Sequence, residues 1–159
     1  MGKTTFTGPI RSGTILNTSG TTLGQDVANV GSVVVAQIDS FTQAGTATAA
    51  GTNIVIPANS LITQMTVFGT VAWDGASSEI SIGTSSSANE LVTTSAISVG
   101  QNQQGPGANA TRTANWINTG TTDERIWVKS TNTGNGVGTL VVRYIRSEEH
   151  TSELQSHHD

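Results

Sequence analysis

Residues Asn53 to Gly75 read N-I-V-I-P-A-N-S-L-I-T-Q-M-T-V-F-G-T-V-A-W-D-G, and this stretch decides the fold. It predicts two strands joined by a tight turn, because Pro57-Ala58-Asn59-Ser60 combines residues that favour turns. After the turn, apolar and polar residues alternate with a period of two, as in a strand with one buried face and one wetter face. Asp74-Gly75 then supplies the positive φ that a hairpin turn needs.

The alternation also predicts which side chains of this second strand are buried. The face expected in the core carries Leu61, Met65, Val67, Val71 and Trp73, with the less apolar Thr63 and Gly69. The wetter face carries Gln64, Thr66, Thr70 and Asp74, and it is interrupted by Ile62 and Phe68.

Further short apolar segments separated by turn residues predict more strands. Ser32 to Phe41 has little alternation at first, which favours a strand buried on both faces. The other predicted strands are Glu79–Gly83, the weak segments at Leu91-Val92 and Ala96–Val99, Thr111–Asn118, and a last hairpin of Arg125–Ser130 and Thr139–Ile145. With about eight or nine strands and no convincing helix, the pattern predicts an all-β, single antiparallel β-sandwich or jelly-roll-like domain.

The remaining segments set the domain organisation. Residues 1–12 are predicted to be an extended N-terminal arm, because Gly8-Pro9 breaks regular structure. Residues 13–145 form the predicted β-sandwich domain. Gly100 to Ala110 is predicted to be a long Gln/Asn/Gly/Pro loop, and long loops in compact domains are often functional.

Residues 146–159 are predicted to be a non-native tail. Arg146 to Ser156 reads R-S-E-E-H-T-S-E-L-Q-S, which resembles the forward translation of a short-read sequencing adapter. All three histidines lie in this tail. It also holds four of the 11 acidic residues, so residues 1–146 carry seven acidic and seven basic residues and have no formal net charge.

These counts argue against several function classes. The chain has no cysteine, and without the tail it has no histidine, so it lacks the usual ligands of zinc and the usual acid–base residue at neutral pH. The few acidic pairs are better explained as solvated turn residues than as a glycosidase pair. Scattered, balanced charges argue against nucleic-acid binding, and no apolar run is long enough to span a membrane. We therefore expect no enzyme activity, no cofactor and no metal.

Tryptophans and the arm supply the candidate contact residues. Trp73 is expected in the core, whereas Trp127 lies opposite Ile126 and Val128 on its strand. An aromatic side chain there suits a sugar platform or a protein interface, and we favour the interface because Trp is enriched in interface anchors. The partner-binding candidates are Lys3, Phe6, Ile10, Arg11 and Trp127.

Three stretches of the chain resemble small virion structural proteins of marine short-tailed phages, of the head-decoration kind. They are Gly8–Ile15 running on to Thr21–Gly24, Ile54–Ser60, and Ser81–Leu91. The resemblance covers most of residues 1 to 146. The resemblance implies a homotrimeric β domain in the virion, with the major capsid protein as partner and no catalytic residues.

The resemblance and the residues together favour a capsid decoration, or cement, protein that binds the outer capsid lattice and stabilises it. Two alternatives remain open. A tail or fibre module that recognises a host glycan would show a cleft with an exposed Trp116 or Trp127. A subunit of a self-assembling extracellular fibre or tube would form open head-to-tail assemblies without a capsid.

Overall fold

The computed structural model describes residues 33–44, 49–75 and 79–146. Within these ranges the chain forms eight strands and one helix. They are β1 (Val34–Thr42), β2 (Ala50–Ile56), β3 (Ser60–Val71), β4 (Glu79–Gly83), β5 (Val92–Ala96), β6 (Gly100–Gln104), α1 (Ala110–Ile117), β7 (Glu124–Ser130) and β8 (Val137–Arg146). The predicted all-β sandwich is confirmed, whereas the boundaries of the arm, the domain and the tail stay predictions.

The strands form two four-stranded antiparallel sheets that pack face to face. The front sheet has the order β1-β8-β3-β6, and the back sheet has the order β2-β7-β4-β5. The pairs β1·β8, β2·β7, β3·β6 and β4·β5 are all antiparallel neighbours. The chain therefore runs as one long ribbon that folds back on itself between β4 and β5 and then rolls into a sandwich.

This topology corrects the two predicted hairpins. The turn at Pro57–Ser60 joins β2 to β3, but these strands lie in different sheets. The same holds for β7 and β8, which were predicted to pair with each other. A period of two identifies a strand and its faces but not its partner, so the sequence pattern predicted the strands correctly and their pairing wrongly.

Two irregularities in β3 explain why the prediction of its buried face was partly wrong. Leu61 and Val71, which were predicted to be buried, are exposed, and Ile62 is buried instead. Against β8, the register shifts between Ile62 and Gln64 and again between Gly69 and Val71. Each shift places one extra residue in β3, as in a β-bulge, and an extra residue reverses which face the following side chains occupy.

The core lies between the two sheets and is built from branched aliphatic side chains. Trp73 closes one end of it, as predicted, and its ring centroid lies 5.7 Å from that of Phe41. The other buried hydrophobic members of the cluster are Ile54, Ile56, Ile62, Met65, Val67, Ile80, Ile82, Leu91, Val92, Ile97, Ile126, Val128, Leu140, Val142 and Tyr144.

The segment from Gly100 to Asn118 differs most from the prediction. The first half of the predicted loop is a strand, β6, which pairs with β3. The predicted strand after it is the helix α1, and Asn109 caps it by accepting a hydrogen bond from the Arg112 N–H at 2.9 Å. A polar N-cap residue of this kind favours a helix start, and a period-two reading of a short segment does not detect it.

Polar side chains close the edge of the sandwich where β1 passes over β2. The Gln37 amide donates to Val55 O at 2.6 Å and accepts from Val55 N at 3.0 Å. Asp39 accepts from the Asn53 N–H at 2.7 Å. These side chains take the place of a neighbouring strand, so the backbone groups of the β2 edge are satisfied within the domain.

Gln43 joins three chain segments at one end of the sandwich. Its side-chain nitrogen donates to Asp74 O at 2.7 Å and to Asn132 Oδ1 at 2.8 Å. Its side-chain oxygen accepts from the N–H groups of Asp74 and Gly136, at 3.1 and 3.2 Å. Gln43 is only 2% exposed, so water cannot replace these bonds. A Cβ on Gly134 would overlap the Gln43 amide, which explains the glycine there.

Replacing Gln43 by alanine should lower the free energy of unfolding by about 2–4 kcal/mol, because the N–H groups of Asp74 and Gly136 would lose the acceptor that this buried side chain provides. Urea denaturation of the full chain measures this change. Gln101→Ala is the matched control, since Gln101 is an exposed glutamine on β6, and it should stay within about 0.5 kcal/mol of the wild type. Equal stabilities for the two variants would contradict the role of Gln43.

Candidate interaction surface

The outer face of the front sheet exposes apolar side chains from three adjacent strands. The exposed members are Val34, Ile38, Leu61, Phe68 and Val71. We call them, with the half-buried Val137, Val141 and Ile145 between them, the apolar face. Ile38 is 67% exposed and Phe68 40% exposed. Exposed apolar patches shared by neighbouring strands are typical of protein interfaces, unlike single exposed side chains.

Strand register arranges the apolar face in rows across the sheet. Ile145 on β8 lies between Val34 on β1 and Leu61 on β3. Two rows along the sheet, Val141 is paired with Ile38, and the row between them carries Arg143 with Ala36 and Gln64. Residues directly opposite each other in antiparallel strands have Cβ atoms about 5 Å apart, so each such row forms one surface.

The charge of this surface is small. Arg143 is the charged residue that β8 places between two of the apolar rows, and its guanidinium donates to Gln64 Oε1 at 3.1 Å. Gln64 and Thr66 also donate to Gln103 Oε1 on β6, each at 3.2 Å. The front sheet therefore presents apolar rows with hydrogen-bonded polar side chains between and beside them, a mixture that is common in protein interfaces.

The sequence did not predict this surface. β1 was expected to be buried on both faces, but it is an edge strand, and its even-numbered side chains from Val34 to Thr42 are exposed. The available signal was Phe68, which interrupts the polar face of β3. Part of the segment Gly100 to Ala110, which was predicted to be a functional loop, does reach this surface, since Gln101 on β6 is paired with Phe68.

Of the five predicted contact residues, the structure describes Trp127. Lys3, Phe6, Ile10 and Arg11 lie outside the described residues, so their role stays a prediction. Trp127 lies on the outer face of the back sheet, opposite to the apolar face, and is half-buried. Its ring lies 3.4 Å from the position of a Cβ on Gly51, which is an ordinary van der Waals distance.

Trp116 has a structural explanation. The indole N–H donates to Leu91 O at 2.9 Å, and the ring packs against the core. The neighbouring Asn115 amide donates to Glu90 O at 3.0 Å. These two bonds hold α1 against the loop between β4 and β5. In the described part of the chain, Trp116 is therefore an anchor of the helix and not an exposed sugar platform.

The loop between β4 and β5 is organised around the Glu90 carboxylate. It accepts from the N–H groups of Thr84 and Asn89, at 3.2 and 3.1 Å, and from the Ser85 hydroxyl. Partial burial raises the pKa of Glu90, but these hydrogen bonds lower it more, so the pKa lies below its ordinary value of 4.5. A Cβ on Gly83 would overlap this carboxylate, so the loop also requires that glycine.

Across residues 33–44, 49–75 and 79–146, no three His, Cys, Asp or Glu side chains are grouped so that they could hold a metal ion. Over the same ranges, no helix has the length and apolar character that crossing a membrane requires.

Comparisons with known proteins find a likeness among solved structures, where two chains match. No protein-family model matches the sequence, and no curated protein matches it either. Among solved structures, a chain described as "Cyanophage Pam1 capsid asymmetric unit" is similar, with a TM-score of 0.49 and 19% sequence identity. The match covers 82% of this chain and 97% of the other chain. A likeness of this size does not by itself identify a function.

Acid should destabilise the wild type more than the variant Glu90→Gln. A carboxylate with a lowered pKa contributes stability that is fully present above the unfolded value and is lost as pH falls through the folded value. The difference in unfolding free energy between the two proteins should therefore be largest above pH 4.5 and shrink as pH falls below it. Urea denaturation at a series of pH values measures it, and a difference that is constant with pH would show that the carboxylate charge is not involved.

Proposed function

We propose that the protein is a non-enzymatic structural component of a phage virion, a capsid decoration protein that binds the outside of the shell through the apolar face. The observation that carries this proposal is the exposure of Ile38, Phe68 and their neighbours on one face of a rigid sandwich. In water such a surface is stabilised by contact with another protein surface.

The size and charge of the apolar face suit binding to the surface of a capsid shell. Three strands about 4.8 Å apart and about 30 Å long offer roughly 400 Å² of mainly apolar surface. A standard interface buries about 800 Å² on each partner, with an apolar centre and a polar rim. The balanced charge of residues 1–146 favours a contact that depends on shape and burial more than on electrostatic attraction.

Strand order adds a second line of support. A ribbon with the nested pairs β1·β8, β2·β7, β3·β6 and β4·β5, rolled into two sheets, follows the plan of a jelly roll. Jelly rolls occur in viral capsid and lectin domains and in cupins. The plan alone does not select a function. It agrees with the resemblance to head-decoration proteins, from which the trimer, the virion location and the major capsid protein as partner are inferred.

In this proposal, the protein stabilises the shell by linking neighbouring capsid subunits. Each subunit would bury the apolar face against neighbouring capsid subunits, and these contacts must break before the shell ruptures. The arm, residues 1–12, is proposed as an additional contact with the shell, whereas Trp127, on the opposite sheet, is proposed as a contact with a second subunit of the protein.

The double variant Ile38→Glu/Phe68→Glu should lose at least ~10-fold in affinity for shells assembled from the major capsid protein of the same genome, because two charges would have to be buried in the contact. Cosedimentation with the shells measures the affinity. Ala96→Glu, an exposed change on the back sheet, is the control and should bind as the wild type does.

Other outcomes separate the alternatives. If the wild type folds but never binds shells, the decoration function is wrong. If the double variant binds shells normally but no longer self-associates in analytical ultracentrifugation, the apolar face joins copies of this chain instead. Open filaments of the protein alone in electron micrographs would support the fibre or tube alternative.

A further inference from the structure

A shallow polar cavity lies on the outer face of the back sheet, opposite to the apolar face. Its volume is about 360 Å³, at the lower end of the range for small-molecule sites. Three strands supply Ser81, Thr93 and Lys129, and the loop between β4 and β5 supplies Ser87 and Asn89. The cavity is thus formed where that loop meets the sheet.

The lining is specific in its chemistry. Hydroxyl groups, an amide and one ammonium group line the cavity, and among the described residues no carboxylate or apolar side chain takes part. Hydroxyls and amides both donate and accept hydrogen bonds, as the hydroxyl groups of a sugar do. The positive charge of Lys129 disfavours a cationic ligand, and the hydroxyl and amide groups favour a ligand that forms many hydrogen bonds.

Lys129 gives the cavity its charge. Its ammonium group makes no hydrogen bond or ion pair with any residue in the described ranges. It is half-buried and stands beside Ser81, with which it is paired in register. A free ammonium at the side of a hydroxyl-lined cavity favours a ligand that carries a negative charge next to its hydroxyl groups.

The loop side of the cavity is held in place before any ligand binds. Glu90 accepts the N–H of Asn89, and Ser87 N donates to Ser85 Oγ at 3.1 Å. These bonds fix the backbone that carries the Ser87 and Asn89 side chains, while β4, β5 and β7 fix the other three. Binding to a preorganised site costs less ordering entropy than binding to mobile loops.

We propose that this cavity binds an acidic carbohydrate, with the Lys129 ammonium paired to the sugar carboxylate and the Ser81, Thr93 and Asn89 side chains bonded to its hydroxyl groups. The site does not depend on the decoration function. One consequence does rest on that function: if the apolar face covers the shell, the cavity on the opposite sheet faces away from it, where a decorated particle meets surface polysaccharides.

Titration of the full chain with trigalacturonate at low salt tests the proposal. Amide resonances of Ser81, Thr93 and Lys129 should shift, and calorimetry should show an affinity that Lys129→Gln weakens by about 10-fold and Lys129→Arg largely keeps. Arg143→Gln removes the same charge from the opposite sheet and should leave the affinity unchanged. The neutral methyl ester of trigalacturonate should bind less tightly than the acid.

Three results would overturn the proposal. No shift at Ser81, Thr93 or Lys129 would exclude the cavity as the site. Equal binding by wild type and Lys129→Gln, or by the acid and its methyl ester, would exclude the charge recognition. Sodium sulfate that binds as tightly as trigalacturonate would show a bare anion site without sugar recognition. Since all these measurements use the isolated protein, their failure leaves the capsid-binding test unaffected.

Discussion

The sandwich depends on glutamine side chains that take the place of backbone partners where strand pairing stops. A ribbon rolled into two sheets must cross from one sheet to the other, and at each crossing backbone groups lose their neighbours. Gln43 supplies four hydrogen bonds at the end where β1, the β3–β4 connection and the β7–β8 connection meet. The Gln37 amide likewise donates to and accepts from the Val55 backbone, along the edge of β2 that has no neighbouring strand. An amide can donate and accept at once, which is why it can imitate a strand.

The sequence could predict those features of the fold that depend on local residue patterns. Alternation of apolar and polar residues identified β2, β3, β4, β7 and β8, because the period of a half-buried strand is a local property. Sheet membership is not local, so the pairing of β7 with β8 was predicted wrongly. The two register shifts in β3 were not predicted either, since the residues at a bulge are of the same types as ordinary strand residues. The cap at Asn109 was missed because only a short helix follows it.

The candidate surface was harder to predict than the fold, for a physical reason. An apolar run such as Val33 to Ala36 reads the same whether its outer face packs inside the domain or against another molecule. Only the position of β1 at the edge of the front sheet shows that nothing in the described residues covers Val34 and Ile38. The mismatch between an apolar composition and an exposed position is therefore the information that the structure adds.

The closed edge of β2 also restricts how the molecule can associate. Exposed strand edges usually invite strand addition by another chain, which extends sheets without a defined end. Here Gln37 and Asp39 occupy the backbone groups of Asn53 and Val55, so addition at β2 would first have to displace hydrogen bonds within the domain. Association through the front face meets no such cost, because its side chains are exposed and their conformations are fixed by the sheet. At the β2 edge, therefore, the fold favours contact through the front face over strand addition, whereas β1, β6 and β5 are the other edge strands of the two sheets.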